Sequence, residues 1–228
     1  KPVDAARPFR EAAAMMIRRA LLPTVLLAPL ATLAQTAPPV APVIAPAPAP
    51  TPKPATQKVA IDTSVGRIVL ELETERAPIT ARNFLRYADQ KRLDGIAFYR
   101  TVKVADKFGF IQFGIQGDPK RALPPIKHEP TTQTGVRHVN GAISTARLAP
   151  GTARGEFTIS VGEQTSLDAN PSAPGDNLGY AAFGKVVEGM DVIVKILDAP
   201  TSPTAGEGVM KGQMLAPKIK VLSVRRLP

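Results

Sequence analysis

The sequence predicts a mainly β domain, a closed eight-stranded antiparallel barrel capped by two α-helices. Two observations lead to this prediction. Seven or eight short apolar runs, separated by turn residues, recur over residues 58–228. Only two segments in that range place apolar residues at the spacing of an amphipathic helix. Many short strands with few helices are typical of a barrel whose open ends are plugged by the helices.

The predicted strands begin with a hairpin. Residues 58–74, KVAIDTSVGRIVLELET, form two apolar runs on either side of a turn at Ser64–Gly66. Shorter runs that are rich in β-branched and aromatic residues predict the other strands. These runs lie at Ala97–Val102, Phe110–Gly114, Ala142–Arg147, Glu156–Val161, Ala181–Val187 and 218–227.

Both helices are predicted from the spacing of their apolar residues. Residues 77–91, APITARNFLRYADQK, carry Pro78 in the first turn, where its missing N–H costs nothing. In the same segment Phe84, Tyr87 and Ala88 fall on one helix face. The second segment, GMDVIVKILDA, repeats this spacing at Met190, Ile193, Val194 and Leu197.

Residues 1–34 are interpreted as upstream residues followed by a secretory signal peptide. Arg18 and Arg19 precede an apolar stretch, and small residues at 32 and 34 suit cleavage before Gln35. The stretch is short and contains two prolines, so an uncleaved membrane anchor is the weaker alternative. Residues 1–14 precede two methionines, and we interpret them as belonging to an upstream start site that is not used. We expect no stable membrane insertion after cleavage.

Residues 35–57 form a Pro/Ala-rich linker in front of the domain at residues 58–228. Proline fixes φ and lacks a backbone donor, so we expect an extended, semi-rigid tether, and recognition by a proline-binding module is the alternative. The absence of cysteine near the cleavage site excludes a lipoprotein anchor. An exported, cysteine-free chain with such a tether indicates the periplasm of a Gram-negative bacterium.

Composition excludes several classes of function. The chain of 228 residues has no cysteine, which excludes disulfides, a thiol nucleophile and cysteine-ligated metals. His128 and His138 lie ten residues apart, a spacing without a metal signature, and we expect no metal and no cofactor. The net charge is +10, and residues 1–58 contain seven basic and two acidic residues. Half of the excess thus lies outside the domain, and we expect no nucleic-acid partner.

Common catalytic motifs are also missing from the sequence. It contains no G-x-S-x-G elbow, no H-E-x-x-H pair, no phosphate-binding loop and no dinucleotide fingerprint. What remains is a polar pair, Arg100 and Gln112, set among aromatic residues on two adjacent predicted strands.

Several segments together resemble the cyclophilin-type peptidyl-prolyl cis-trans isomerases. The segments are ELETERAPITARNFLRYA, IAFYR, FIQFG, GAISTAR, EFTISVG, SLDAN and AAFGKVVEGMDVI, and they follow one another in the order and spacing of that family. The resemblance covers roughly residues 58–226. It implies an eight-stranded barrel capped by two helices and an isomerase that acts on X–Pro bonds without a cofactor. With the signal peptide, we expect proline-containing exported polypeptides as substrates, and we expect a monomer.

The resemblance also implies roles for individual residues. Arg100 matches the catalytic arginine of the family, and Gln112 matches the glutamine beside it. Ala146 matches a small residue that lines the substrate groove, and Leu167 matches a leucine of the proline pocket. Phe110 falls near an apolar pair of that pocket, in a segment that is about four residues longer than usual.

Three predicted substrate-binding residues depart from the family pattern. Glu156 replaces a glutamine, Thr158 replaces the aromatic floor of the proline pocket, and Tyr180 stands where histidine is frequent. Ser166 also replaces a common tryptophan. A floor without an aromatic ring removes apolar contact with the proline ring, so we expect weakened activity.

Two hypotheses follow from these departures. Glu156 is expected to pair with Arg100 or Arg147, and Phe108 or Phe110 is expected to supply the apolar contact that Thr158 lacks. The alternative function is a non-catalytic peptide-binding or chaperone-like module on the same barrel, which Thr158 and Glu156 favour. A cell-envelope scaffold mounted on the tether is a third, weaker alternative.

Overall fold

Antiparallel strands close into a barrel in the computed structural model of the protein, which describes residues 53–228. Around the barrel the order is β1-β2-β7-β5-β6-β4-β3-β9, and β9 pairs with β1 to close the sheet. This confirms the predicted eight-stranded barrel. A ninth strand, β8, has only two residues and pairs with the start of β9. The strands are β1 (Gln57–Thr63), β2 (Gly66–Leu72), β3 (Ala97–Ala105), β4 (Phe108–Gly114), β5 (Ala142–Thr145), β6 (Glu156–Val161), β7 (Ala181–Glu188), β8 (Thr201–Ser202) and β9 (Met214–Arg226).

Two helices cover opposite ends of the barrel. Helix α1 (Pro78–Asp89) has Pro78 in its first turn, as predicted, and lays its buried face on the aromatic residues at one end. A single turn, α2 (Thr131–Thr134), follows later in the chain. Helix α3 (Met190–Leu197) closes the other end, where its last carbonyl accepts a hydrogen bond of 3.0 Å from the Thr101 hydroxyl.

Phe157 of β6 lies at the centre of the aromatic core. Its ring is fully buried and meets Phe84 of α1 edge-to-face, with ring centroids 4.8 Å apart. Phe113 of the adjacent strand β4 and Phe183 of β7 contribute rings whose centroids lie 5.7 Å and 6.0 Å from that of Phe157. Because successive strand residues point to opposite faces, this inward ring leaves the flanking residues of β6 facing outward.

The predicted leader and most of the predicted linker lie outside the described residues. Strand β1 begins at Gln57, one residue before the predicted start of the domain, because Gln57 already pairs with Leu72 across the hairpin. Ala55 also contacts the domain, since its backbone N–H donates to the Glu75 carboxylate at 2.7 Å. Within residues 53–228, no helix is long and apolar enough to cross a membrane.

Candidate active site

A row of polar side chains crosses the outer face of four neighbouring strands. Arg100 of β3 is directly opposite Gln112 of β4, and Gln112 is directly opposite Thr158 of β6. Ser144 of β5 continues the row, because its hydroxyl lies 2.8 Å from that of Thr158. Strand pairing thus explains why an arginine and a glutamine twelve residues apart belong together.

A β-bulge at Tyr99 turns two successive residues of β3 toward the same groove. Phe98 pairs with Phe113 and Arg100 pairs with Gln112, so the pairing register shifts between Phe98 and Arg100. In a regular strand Tyr99 and Arg100 point to opposite faces, but both line the groove here. A bulge of this kind re-aims side chains and is frequent beside active sites.

Three hydrogen bonds hold the guanidinium of Arg100. Its Nη1 donates to Oε1 of Gln112 at 3.0 Å. Its Nε and Nη2 both donate to Oε1 of Gln213, at 2.9 Å and 2.7 Å. A guanidinium has five N–H donors, so two of them have no partner within residues 53–228. The partners are neutral amides that do not cancel the charge. Burial lowers the pKa of Arg100, but an arginine guanidinium stays protonated in proteins.

All eight residues predicted for the site line one groove of about 810 Å³, which we call the Arg100 groove. The structure therefore brings the predicted set together, while the role of each residue remains a prediction. Other residues of the wall, such as Val209 and Met210, carried no signal in the sequence. The eight predicted residues are Arg100, Phe110, Gln112, Ala146, Glu156, Thr158, Leu167 and Tyr180.

Phe110 supplies an aromatic wall beside Arg100. The guanidinium carbon lies 5.4 Å from the centre of the Phe110 ring, a cation–π distance. Phe108 packs against Gly162 and stays outside the groove. The extra residues do not fold over the groove as a loop; they lengthen the β3–β4 hairpin, which ends at the pair Ala105 and Phe108. Strand alternation then places Phe110 on the same face as Gln112.

The expected ion pair of Glu156 with Arg100 or Arg147 is wrong. The Tyr99 hydroxyl donates to Oε2 of Glu156 at 2.6 Å, because the bulge turns Tyr99 toward β6. Arg147 pairs instead with Asp176 at 2.5 Å. Burial raises the pKa of the Glu156 carboxyl, and burial together with the charge of Glu156 raises the pKa of Tyr99.

Replacing Glu156 with glutamine is expected to stabilise the protein at neutral pH. The raised pKa means that ionising Glu156 costs more free energy in the folded state than in the unfolded state. This cost is absent well below pH 4.5, the ordinary value, and grows as the pH rises toward the folded-state pKa. A glutamine at this position keeps a side-chain oxygen that can accept the hydrogen bond from the Tyr99 hydroxyl. Thermal denaturation of Glu156→Gln should show a higher Tm at pH 7 and little change at pH 4; a lower Tm at pH 7 contradicts the prediction.

The segment that carries Leu167 and Tyr180 is anchored at both ends. The Arg147 side chain donates to the Gly179 carbonyl and stacks on Tyr180, with 5.3 Å from guanidinium carbon to ring centre. Asp168 accepts from the backbone N–H and from Nδ1 of His138, at 3.0 Å and 2.7 Å. Although burial raises the pKa of Asp168, these bonds outweigh it and hold that pKa below its usual value. The bonds between His138 and Asp168 thus hold the start of this segment in place.

Thr158 leaves the floor of the groove without an aromatic ring. We expect Thr158→Phe to raise kcat/KM about tenfold, since roughly 55 Å² of added apolar contact corresponds to about 1.4 kcal/mol. The change also removes the partner of the buried Ser144 hydroxyl, so the Tm should fall. The double variant with Ser144→Ala should recover the Tm and keep the faster rate. The activity that the resemblance implies is measured with an X–Pro peptide, and an unchanged or lower kcat/KM contradicts the prediction.

The residues in and around the groove offer no metal site. Across residues 53–228, no group of three or more histidine, aspartate or glutamate side chains is placed to hold a metal ion. The chemistry available in the groove is hydrogen bonding from a fixed guanidinium next to apolar and aromatic surface.

Comparison with known proteins places most of the chain in one family. Residues 58–225 match the family model described as Cyclophilin type peptidyl-prolyl cis-trans isomerase/CLD. A peptidyl-prolyl cis-trans isomerase of Acinetobacter baylyi is 33% identical over 179 residues, which cover 75% of this chain and 86% of that protein. Peptidyl-prolyl cis-trans isomerase B of Escherichia coli is 32% identical over 151 residues, 63% of this chain and 85% of that protein.

Solved structures share the fold. The crystal structure of a cyclophilin type peptidyl-prolyl cis-trans isomerase from Cryptosporidium parvum matches with a TM-score of 0.60 and 20% identity. The match covers 76% of this chain and 99% of that one. A second structure of that protein was determined in the presence of the dipeptide Ala-Pro.

Proposed function

The chain belongs to the cyclophilin-type peptidyl-prolyl cis-trans isomerase family, and from this premise we propose that Arg100 is the residue with which it accelerates rotation about X–Pro bonds. Uncatalysed rotation has a barrier of roughly 18–20 kcal/mol, because it breaks the resonance of the amide. No covalent bond is made or broken. An enzyme therefore needs only to bind the twisted amide more tightly than the planar one.

The single observation that carries this proposal is the held, uncancelled guanidinium of Arg100. When the amide twists, the prolyl nitrogen regains a lone pair that accepts a hydrogen bond. Two N–H groups of Arg100 have no partner within residues 53–228, and neutral Gln112 and Gln213 hold the other three. One free N–H donates to the prolyl nitrogen, and the other is available to a neighbouring carbonyl. Because the donors are fixed before the substrate arrives, little reorganisation is needed in the transition state.

The apolar part of the groove binds the proline ring of the substrate. Phe110, Leu167 and Ala146 line the space around the polar row, and they offer contact to a proline ring and to the extended chain beside it. A bound ring excludes water, which strengthens the hydrogen bonds from Arg100. We infer that Phe110 takes over part of the contact that an aromatic residue at 158 provides in other family members.

The test is cis–trans exchange in a short Ala-Pro peptide, measured by NMR with the protein and with Arg100→Ala. Faster exchange that is lost in the variant supports the mechanism. Faster exchange that persists in the variant contradicts the role of Arg100. Line broadening of the peptide without faster exchange indicates the alternative function, a peptide-binding module, which Thr158 favours.

We also propose that the substrates are exported polypeptides and that the enzyme acts as a monomer in the periplasm. The exported location is supported by the sequence of residues 15–34, where Arg18 and Arg19 precede an apolar stretch. Recovery from a periplasmic extract, with Gln35 as the first residue and the mass of one chain, supports it. An unprocessed chain confined to the cytosol contradicts it.

A further inference from the structure

We propose that the 203–213 loop, which joins β8 to β9, contributes two parts of the active site. Gln213 positions Arg100, and Val209 with Met210 forms a subsite for an apolar side chain of the substrate. The inference rests on the proposed function, because it concerns the residues that orient the catalytic guanidinium and extend the same groove.

Gln213 makes most of the hydrogen bonds that orient Arg100. Its Oε1 accepts from Nε at 2.9 Å and from Nη2 at 2.7 Å, whereas Gln112 accepts only from Nη1. Two donors on one oxygen fix the plane of the guanidinium, because a rotation breaks both bonds together. Gln213 faces one edge of the guanidinium and Gln112 faces another, which directs the remaining N–H groups to the substrate. Gln213 acts through Arg100 and is therefore a positioning residue.

The backbone of the loop fixes the place of Gln213. Its carbonyl accepts from the backbone N–H of Thr101 at 2.9 Å, which ties the loop to β3 directly after Arg100. Its own N–H donates to the Met210 carbonyl at 3.1 Å, and the Gly212 N–H donates to Ala205 at 3.0 Å. The side chain of Gln213 and the turn that carries Met210 are thus parts of one hydrogen-bonded unit.

The same unit presents apolar side chains to the groove. Val209 is 84% exposed and Met210 is 43% exposed, yet both line the Arg100 groove. Exposed apolar residues beside a groove mark a contact surface. A valine next to a flexible methionine suits apolar side chains of varied shape. Since this surface is continuous with the groove, the occupant is an apolar side chain of the same polypeptide whose X–Pro bond lies at Arg100.

The positioning role is tested with Gln213→Ala and Gln213→Glu. We expect Gln213→Ala to lower kcat roughly 10- to 100-fold with KM unchanged, because the guanidinium loses its orientation but keeps its charge. Gln213→Glu places a carboxylate on the guanidinium, so its kcat should be low at pH 7 and recover as the pH falls through the pKa of the new carboxyl. Gln213→Ala should show no such recovery. Unchanged kcat in both variants overturns the positioning role.

A second measurement reports on Arg100 without activity. In ¹⁵N NMR of the Arg100 side chain, the Nε–H resonance should shift and exchange faster with water in Gln213→Ala than in the wild-type protein. The control is Gln90→Ala, which removes an exposed glutamine that accepts from Arg92 at the end of α1. An Arg100 resonance that is the same in wild type and Gln213→Ala overturns the positioning role.

The subsite is tested with the double variant Val209→Ser and Met210→Ser. Two peptides of equal length are compared, one with leucines and one with serines flanking the same Ala-Pro unit. We expect KM for the leucine peptide to rise about threefold or more, and KM for the serine peptide to stay unchanged. The matched control is Leu222→Ser, which alters an apolar residue of β9 that is 57% exposed and not part of the groove. Equal changes for both peptides, or none, overturn the subsite.

These outcomes separate the inference from the proposed function. If the wild-type protein accelerates neither peptide, the proposed function fails, and the inference fails with it. If the wild-type protein accelerates both peptides and neither the Gln213 nor the Val209/Met210 variants change the kinetics, only the inference fails.

Discussion

Replacing Arg100 with alanine is expected to slow catalysed X–Pro exchange by roughly 10²–10³-fold, the usual effect of removing one preorganised donor. The loss should appear mainly in kcat, because the hydrogen bond to the prolyl nitrogen exists only when the amide is twisted. Arg100→Lys should recover little of the rate. A lysine ammonium keeps the charge but lacks the planar fork that Gln112 and Gln213 hold.

The matched control for Arg100 is Arg226→Ala. Arg226 lies on β9 of the same barrel and forms an exposed ion pair of 2.6 Å with Asp89, outside the groove. We expect the exchange rate of this variant to equal that of the wild-type protein. NMR exchange rates that fall equally in Arg100→Ala and Arg226→Ala indicate a general loss of folded protein and contradict the assignment. A rise in KM with kcat unchanged for Arg100→Ala does so as well.

Replacing Phe157 with alanine is expected to lower the free energy of unfolding by about 3–5 kcal/mol. The ring is fully buried between α1 and the barrel interior, with Phe84, Phe113 and Phe183 around it, so its removal leaves a cavity that these rings cannot fill. Such a loss is a large part of the stability of a typical domain. Since Glu156 and Thr158 flank Phe157 on β6, the outward residues of the site depend on this inward anchor.

Urea denaturation followed by circular dichroism measures this loss. The midpoint should fall while the slope with urea concentration stays the same, because the surface exposed on unfolding is nearly unchanged. Phe108→Ala is the control, since its ring is 36% exposed and lies outside the aromatic core, and we expect it to cost under about 1 kcal/mol. A loss in Phe157→Ala no larger than that of Phe108→Ala contradicts the prediction.

Strand patterns predicted the part of the site that strand pairing builds. Apolar runs located β3, β4 and β6, and the turn residues between them indicated antiparallel neighbours. Arg100 and Gln112 could be recognised as a pair because regular pairing places them opposite one another. The barrel and both helices followed from periodicity in the same way, because each element buries one face and its apolar residues repeat with the period of that element.

Features that depend on irregular backbone were not predictable from the sequence. The residues around Tyr99 give no indication of the bulge. Glu156 was therefore expected to pair with an arginine, but it accepts a hydrogen bond from the Tyr99 hydroxyl. Gln213 lies 113 residues after Arg100, on a loop without periodicity, and only its folded path brings it to the guanidinium. Such contacts have no local pattern, because they are set by how loops close over the barrel.

Closure of the barrel has a consequence for how a client chain is held. Each of the eight barrel strands is paired on both sides, since β9 returns to β1. An extended polypeptide therefore finds no open edge among these eight strands at which to add a strand, a docking mode that uses main-chain hydrogen bonds along the whole segment. The open edge of the sheet belongs to the two-residue strand β8. The client polypeptide is then held by side chains in the groove and on its loops. Short contact of this kind favours rapid release, so one molecule can serve many proline bonds in turn.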